Sequence, residues 1–256
     1  DILNGGEGND TFRHEVTDLT NVLSEYYDQI IFIDLVSGLS GQPQNLEFPR
    51  WDDWNIPDLF IRDYQDTISN FENVEFIGST DVKIIGDNEN NFLKSGSGND
   101  KLYGSDGNDV LSPGRGDDFV YGEDGDDVLV LTSGGTQHFD GGDGIDKFEI
   151  YLPDWKTAPE GFVGGVDLNL GFAGSATDPD NPLNDSLTNI ENVTIVAEYG
   201  YEITGNDTNN ILVGGSGNDT LKTGDGNDQL FGGLGDDILI INGTGDSVLD
   251  GGDGGG

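Results

Sequence analysis

An all-β fold, wound as a right-handed parallel β-roll or β-helix solenoid of nonapeptide repeats with irregular inserts, is what this sequence predicts, and three features predict it. The phrase Gly-Gly-x-Gly-x-Asp-x-U-x, with U apolar, recurs from Gly5-Gly6-Glu7-Gly8-Asn9-Asp10-Thr11-Phe12 to Gly214-Gly215-Ser216-Gly217-Asn218-Asp219-Thr220-Leu221. Only one residue of each phrase is reliably apolar, which suits a short strand that turns a single side chain inward. The glycines ahead of that strand permit the positive φ angles of a tight turn. A short fixed period of this kind marks stacked repeats, in which each unit buries its apolar residue only against its neighbours.

The elements follow in order. Residues 1–13 read as the end of a preceding array, and residues 14–85 as an insert with extra strands, since Ile31, Ile33 and Leu35 alternate with polar residues. Residues 86–149 form a first array in which Asn91, Asp100, Asp109, Asp118 and Asp127 each stand two places before Leu93, Leu102, Leu111, Val120 and Leu129. The period then slips: Thr136 stands where the next Asp would fall and the stretch from Leu131 to Asp140 is one residue too long, so an interruption of the roll is expected there. Residues 150–204 are a second insert, with alternation in Val166, Leu168 and Leu170. Residues 205–256 are a second array carrying Asn210, Asp219, Asp228 and Asp237 ahead of Leu212, Leu221, Leu230 and Leu239. A longer duplication lies over these arrays, because Asp66-Thr67-Ile68-Ser69-Asn70-Phe71-Glu72-Asn73-Val74 matches Asp185-Ser186-Leu187-Thr188-Asn189-Ile190-Glu191-Asn192-Val193. Both ends fall inside repeats, so the sequence reads as a piece of a longer polypeptide.

Composition narrows the function. Acidic residues outnumber basic ones 50 to 10, for a formal charge of -40, so a phosphate backbone would be repelled and nucleic acid is excluded as a partner. A hydrophobic content of 33% with this charge would ordinarily leave a chain disordered. Here the acids fall at one place of each repeat, the pattern of a chain whose fold a cation completes. There are no cysteines to cross-link a thin core. No apolar run approaches the roughly 18 residues of a membrane span.

Calcium is the cation these residue types suit. It takes roughly six to eight oxygens from carboxylates and backbone carbonyls in flexible geometry. The Asp just ahead of each strand supplies the carboxylate, and glycines such as Gly98, Gly107, Gly116, Gly217 and Gly226 expose carbonyls at close approach. With two nonapeptides per coil, alternate turns lie side by side, pairing Asp100 with Asp118, Asp109 with Asp127, and Asp219 with Asp237. The predicted metal ligands are therefore Asp10, Asn91, Asp100, Asp109, Asp118, Asp127, Asp146, Asn210, Asp219, Asp228 and Asp237 with those five glycines, holding several calcium ions. Asn91 and Asn210 replace Asp at the start of each array, and read either as weaker sites or as caps where no full site exists.

The arrays just quoted resemble the RTX (repeats-in-toxin) family of haemolysin-type calcium-binding repeats. That resemblance implies export from Gram-negative bacteria, typically through a type I secretion channel, with the chain crossing unfolded and folding on meeting extracellular calcium. It implies a secreted, extracellular or cell-surface location.

Chemistry beyond calcium finds little support. His14-Glu15 starts like a zinc-protease H-E-x-x-H, but Asp18 stands at the closing position, and His138 is the only other histidine. Adjacent acids such as Asp52-Asp53 and Asp117-Asp118 are ordinary in so acidic a chain. The expectation is a non-enzymatic calcium-binding roll acting as a structural, adhesive or self-assembling element, with end-to-end association as one partner and a glycan or cell-surface ligand as another. Two other readings are an accessory C-terminal module of a secreted RTX protease, lipase or epimerase, and a calcium-dependent carbohydrate-binding module using Trp51, Trp54 and Trp155. Aromatic residues in such inserts more often pack a loop onto its scaffold.

Overall fold

One apolar residue per repeat can be buried only if successive repeats stack it into a common interior. The computed structural model describes residues 73–79, 81–132, 134–151, 164–175 and 185–254, with the backbone of four further strands at Ile2–Asn4, Thr11–Glu15, Ile30–Asp34 and Thr67–Ser69. All regular elements among these residues are strands. Two sheets, of 10 and 11 strands, contain all of them except the separate parallel pair of Ile2–Asn4 with Thr67–Ser69. The chain alternates between the sheets: Phe92–Lys94 lies in the first, Lys101–Asp106 in the second, Val110–Ser112 in the first again and Phe119–Asp124 in the second. Each strand pairs in parallel with the one two repeats on, Phe92 opposite Val110 and Lys101 opposite Phe119. This is the parallel β-solenoid that the period predicts.

Register aligns the inward residues. Leu93, Leu111, Leu129 and Phe148 oppose one another along the first sheet, and Ile84, Leu102, Val120 and Phe139 along the second, all fully buried. Phe139 and Phe148 meet across the interior with centroids 5.1 Å apart and planes tilted by 60°, a favourable edge-on geometry. Strands Asn73–Ile77 and Asp81–Ile85 each turn two side chains inward, Val74 with Phe76 and Val82 with Ile84.

Three expectations need correction. The roll is not interrupted after Leu131: His138–Asp143 pairs with Phe119–Asp124 in unbroken register. The extra residue is taken up in the turn, because a surface turn tolerates an insertion while a slipped strand would misplace Phe139 from its position opposite Val120. Gln137, not Thr136, consequently occupies the place of Asp118 one coil on. Leu170 is no strand residue; it sits in a turn, 71% exposed, while Val166 points inward and Leu168 packs against the core. Leu35 lies outside the described residues, although Ile30–Asp34 does pair in parallel with Asp81–Ile85.

Between the arrays the two sheets differ. In the first, Lys147–Tyr151 pairs with Asn192–Val196, which pairs directly with Ile211–Ser216. In the second, an antiparallel hairpin of Gly164–Asp167 and Phe172–Ser175 is inserted between Asp185–Thr188 and Tyr201–Thr204. Val166 and Ala173 carry the interior across this hairpin.

Candidate metal centre

The turns of the arrays span six residues, as in Gly104–Asp109, most with glycine at the fourth place and aspartate at the sixth; the first turn of each array instead has Glu89 or Thr208 at the fourth place and Asn91 or Asn210 at the sixth. The fourth-place glycines hold φ values that side chains rarely adopt, +122° at Gly107 and +136° at Gly116. They also lie directly against the carbonyl of the coil before: a β-carbon on Gly116, Gly125, Gly135, Gly235 or Gly245 would collide with the oxygen of Gly98, Gly107, Gly116, Gly217 or Gly226 respectively. The five glycine carbonyls singled out by sequence are thus stacked along the two edges of the roll.

The sixth-place aspartates divide their two oxygens between two tasks. Oδ1 accepts the backbone N–H of the residue one coil earlier: Val82 to Asp100 at 2.9 Å, Asn91 to Asp109, Asp100 to Asp118 and Asp109 to Asp127 at 2.7 Å each, and Asp127 to Asp146 at 2.8 Å. The second array repeats this with Tyr201 to Asp219 at 2.7 Å, Asn210 to Asp228 at 2.9 Å and Asp219 to Asp237 at 2.8 Å. The predicted neighbours Asp100 and Asp118, Asp109 and Asp127, and Asp219 and Asp237 are therefore adjacent rungs. Oδ2 has no partner in Asp100, Asp109, Asp118, Asp127, Asp146, Asp219, Asp228 or Asp237, and all eight Oδ2 atoms are buried. A buried carboxylate oxygen without a partner is costly, and such atoms ask for a ligand.

Carbonyls meet these oxygens. A β-carbon on Gly104 would collide with Asp109 Oδ2 and Gly122 O together, and the same holds at Gly122 for Asp127 Oδ2 and Gly141 O, and at Gly214 for Asp219 Oδ2 and Gly232 O. Glycine at the first place of these turns leaves room for the two oxygens to converge. No group of three or more carboxylate or imidazole side chains gathers among the described residues. A cation here would draw on one or two carboxylates and on main-chain carbonyls, a donor set that suits calcium's all-oxygen preference. Burial, opposed by the Oδ1 hydrogen bond, pushes Asp109, Asp118, Asp146 and Asp219 up to about 7, and Asp100 and Asp127 to about 6. With no cation present, these sites compete to hold protons.

Three sixth-place residues differ from the rest. Asn91 Oδ1 accepts Asp87 N–H at 2.7 Å, and its Nδ2 donates to Asp87 Oδ1 at 3.2 Å. Asn210 Nδ2 donates to Glu191 O at 2.6 Å, Asn206 Oδ1 at 3.0 Å and Thr208 Oγ1 at 3.2 Å, while Oδ1 accepts Asn206 N–H at 2.9 Å. Gln137 Nε2 donates to Gly116 O at 2.8 Å. In each, an amide N–H occupies ground that the aspartates leave open. Asp10 lies outside the described residues.

Sequence reading missed two contributors. Asp185, far along the chain, closes the edge above Gln137 by accepting its N–H at 2.8 Å. At the fifth place, Asn90, Asn99, Asn108, Asp117 and Asp126 accept the N–H of the equivalent residue on the next coil, at 2.9–3.1 Å. The Asn or Asp that recurs just before the sixth-place residue, except at Thr136 and Ile145, was the available signal. His138 takes no part in these turns: its Nδ1 lies 2.7 Å from Ser186 Oγ and its ring stacks on Phe119, a cross-strand contact along the sheet.

No curated protein matches the chain. The family model for the RTX calcium-binding nonapeptide repeat matches in 4 copies, at residues 1–13, 85–120, 114–137 and 204–239. The partnerless Oδ2 atoms of Asp100, Asp109, Asp118, Asp127, Asp219, Asp228 and Asp237 fall within these segments. The arrays are RTX calcium-binding nonapeptide repeats.

Proposed function

We propose that this chain is a calcium-loaded β-roll whose folding is coupled to calcium, that it serves as a rigid structural or adhesive element of a secreted or cell-surface protein, and that it is not an enzyme. The observation that carries this reading is the row of buried Oδ2 atoms without a partner along both edges of the roll. Asp100, Asp109, Asp118, Asp127, Asp146, Asp219, Asp228 and Asp237 would hold the ions through Oδ2, with carbonyls such as Gly122 O, Gly141 O and Gly232 O beside them. Bound calcium would supply the positive charge that these carboxylates lack.

The chain's own residues prepare that step. Oδ1 of each aspartate is held by a main-chain N–H of the neighbouring coil, so a turn is shaped only once its neighbour is in place. Ion binding and coil stacking are thereby one event. A chain this acidic would stay extended where calcium is scarce and close where it is plentiful, and affinities of about 10⁻⁴–10⁻³ M, usual for extracellular calcium modules, suit a chain that folds after export. RTX repeats are typical of secreted proteins, which supports the location.

A calcium titration followed by far-ultraviolet circular dichroism at pH 8 tests the reading. The expected result is a strand spectrum that appears with millimolar calcium and is abolished by a chelator. A strand spectrum indifferent to chelation overturns it.

A further inference from the structure

We infer that one more calcium site lies outside the matched repeats, where the first array meets the strand pair that follows it, and that Asp146 Oδ2, the Asn189 carbonyl and the Glu191 carboxylate form it. The site rests on the calcium reading above. Asp146 is completely buried, and its Oδ2 has no partner. Its place in the ladder is ordinary, since Oδ1 accepts Asp127 N–H at 2.8 Å. The coil above it is not: the residues there belong to the segment Asn189-Ile190-Glu191, which carries no glycine turn and lies outside the matched segments.

That segment nonetheless reproduces both donors of a repeat turn. Glu191 Oε2 accepts Asp146 N–H at 2.8 Å, the bond that Asp127 makes to Asp109 and Asp118 to Asp100. Glu191 Oε1 is then the counterpart of the aspartates' Oδ2. A β-carbon on Gly141 would collide with Asn189 O and approach Asp146 Oδ2 at 2.5 Å, as one on Gly122 would collide with Gly141 O and Asp127 Oδ2. So Asn189 O stands where the first-place carbonyl of the next repeat would stand.

Two features make this short segment fit. Only one residue separates Asn189 from Glu191, against four between the first and sixth places of a repeat such as Gly122 and Asp127, and the extra methylene of Glu restores the reach that the shorter turn loses. Asn189 takes φ +51°, a left-handed conformation that Asn tolerates better than most residues, and its Nδ2 donates to Asp140 Oδ1 at 2.8 Å, which holds the residue in that conformation. The main chain agrees, with Glu191 and Asn192 N–H both donating to Asp146 O. The duplicated sequence repeats the residue types: Asp10 precedes Thr11, Glu72 precedes Asn73, and Thr11 pairs with Asn73 as Lys147 pairs with Asn192.

Calcium counted per chain by elemental analysis after equilibrium dialysis tests the site. Glu191→Gln keeps an acceptor for Asp146 N–H and removes the charge, and it is expected to bind one ion fewer than the unsubstituted chain. Asp109→Asn serves as calibrator and is expected to lose at least one ion. A full count in Glu191→Gln beside a lowered count in Asp109→Asn overturns this site alone, whereas full counts in both overturn the calcium reading of the repeats. Should Glu191→Gln not fold, a crystal structure of the unsubstituted chain grown in calcium decides. Density for an ion bounded by Asp146, Asn189 and Glu191 supports the site, and its absence beside occupied repeats overturns it.

Discussion

Asp109 and Asn210 occupy equivalent places in two turns, each 1% exposed and each followed by an inward leucine, yet their side chains resolve the same problem in opposite ways. Around Asn210 three oxygens converge, from Glu191, Asn206 and Thr208, and the amide brings its own protons to them. Around Asp109 the oxygens of the turn meet a carboxylate, which adds negative charge and leaves Oδ2 without a partner. One group, amide nitrogen in place of carboxylate oxygen, decides whether a turn satisfies itself or needs a cation. Asn91 falls on the amide side with Asn210, whereas Gln137 donates to Gly116 O and still leaves its buried Oε1 without a partner.

The largest effect that could undo this contrast comes from removing a carboxylate. Asp109→Ala loses a calcium donor and strands Asn91 N–H, and an unpaired buried donor by itself costs about 1–3 kcal/mol. The calcium midpoint of folding, read by circular dichroism, is expected to rise several-fold, and an unmoved midpoint would show that Asp109 holds no ion.

Asn210→Asp probes the contrast from the other side. A carboxylate among those three oxygens is expected to weaken the calcium-free chain and to add one ion per chain, measured by elemental analysis. An unchanged count would mean that the oxygens around Asn210 do not form a cage.

Proton competition comes next. Burial raises Asp109, Asp118, Asp146 and Asp219 to about 7 from an ordinary value of 3.8. For an acid whose folded value is raised, the contribution to stability is fully present below the unfolded value and is lost as pH rises through the folded one. The calcium-free chain is therefore expected to retain more strand structure at pH 5 than at pH 8. With calcium present, ion binding releases those protons, so the calcium midpoint is expected to fall as pH rises from 5.5 to 7.5. A pH-independent midpoint would separate these aspartates from the metal.

The smallest effect concerns turn strain alone. Ser105 and Glu123 hold φ of +81° and +75° at the second place of their turns, where Gly142, Gly215 and Gly233 are glycine. Left-handed backbone at a residue with a β-carbon costs about 1–2 kcal/mol, and the added chain entropy of glycine offsets about 0.5–1 kcal/mol of that. Glu123→Gly is expected to raise the thermal midpoint in calcium by a few degrees without changing the ion count. A lowered midpoint would place the Glu123 side chain in a stabilising role.

Much of the fold and of the metal centre is legible in the amino-acid order, because a solenoid places each residue by its phase in the period. Leu93, Leu111 and Leu129, and Asp100 and Asp118, fall where counting puts them. Counting fails where the phase slips. It puts Thr136 at the ligand position and turns a one-residue insertion into a break, whereas strand pairing holds Phe139 opposite Val120 and pushes the extra residue into the turn. Alternation alone assigns Leu170 to a strand, but the chain reverses there and exposes it. Asp185 and Glu191 carry no repeat around them, so nothing local marks them as rungs of the edge ladders.

The parallel coil, its single inward residue per strand and the ion that the acidic turns require are all dictated by the repeat, since each depends on a period that neighbouring units share. Folding settles the remainder: which carboxylate oxygen is spoken for, which turns an amide already fills, and that Glu191 stands over Asp146. The first and the last depend on contacts between coils 18 or more residues apart, with 45 separating Glu191 from Asp146, whereas the amides are held mostly within their own turns, Asn91 by Asp87 and Asn210 by Asn206 and Thr208.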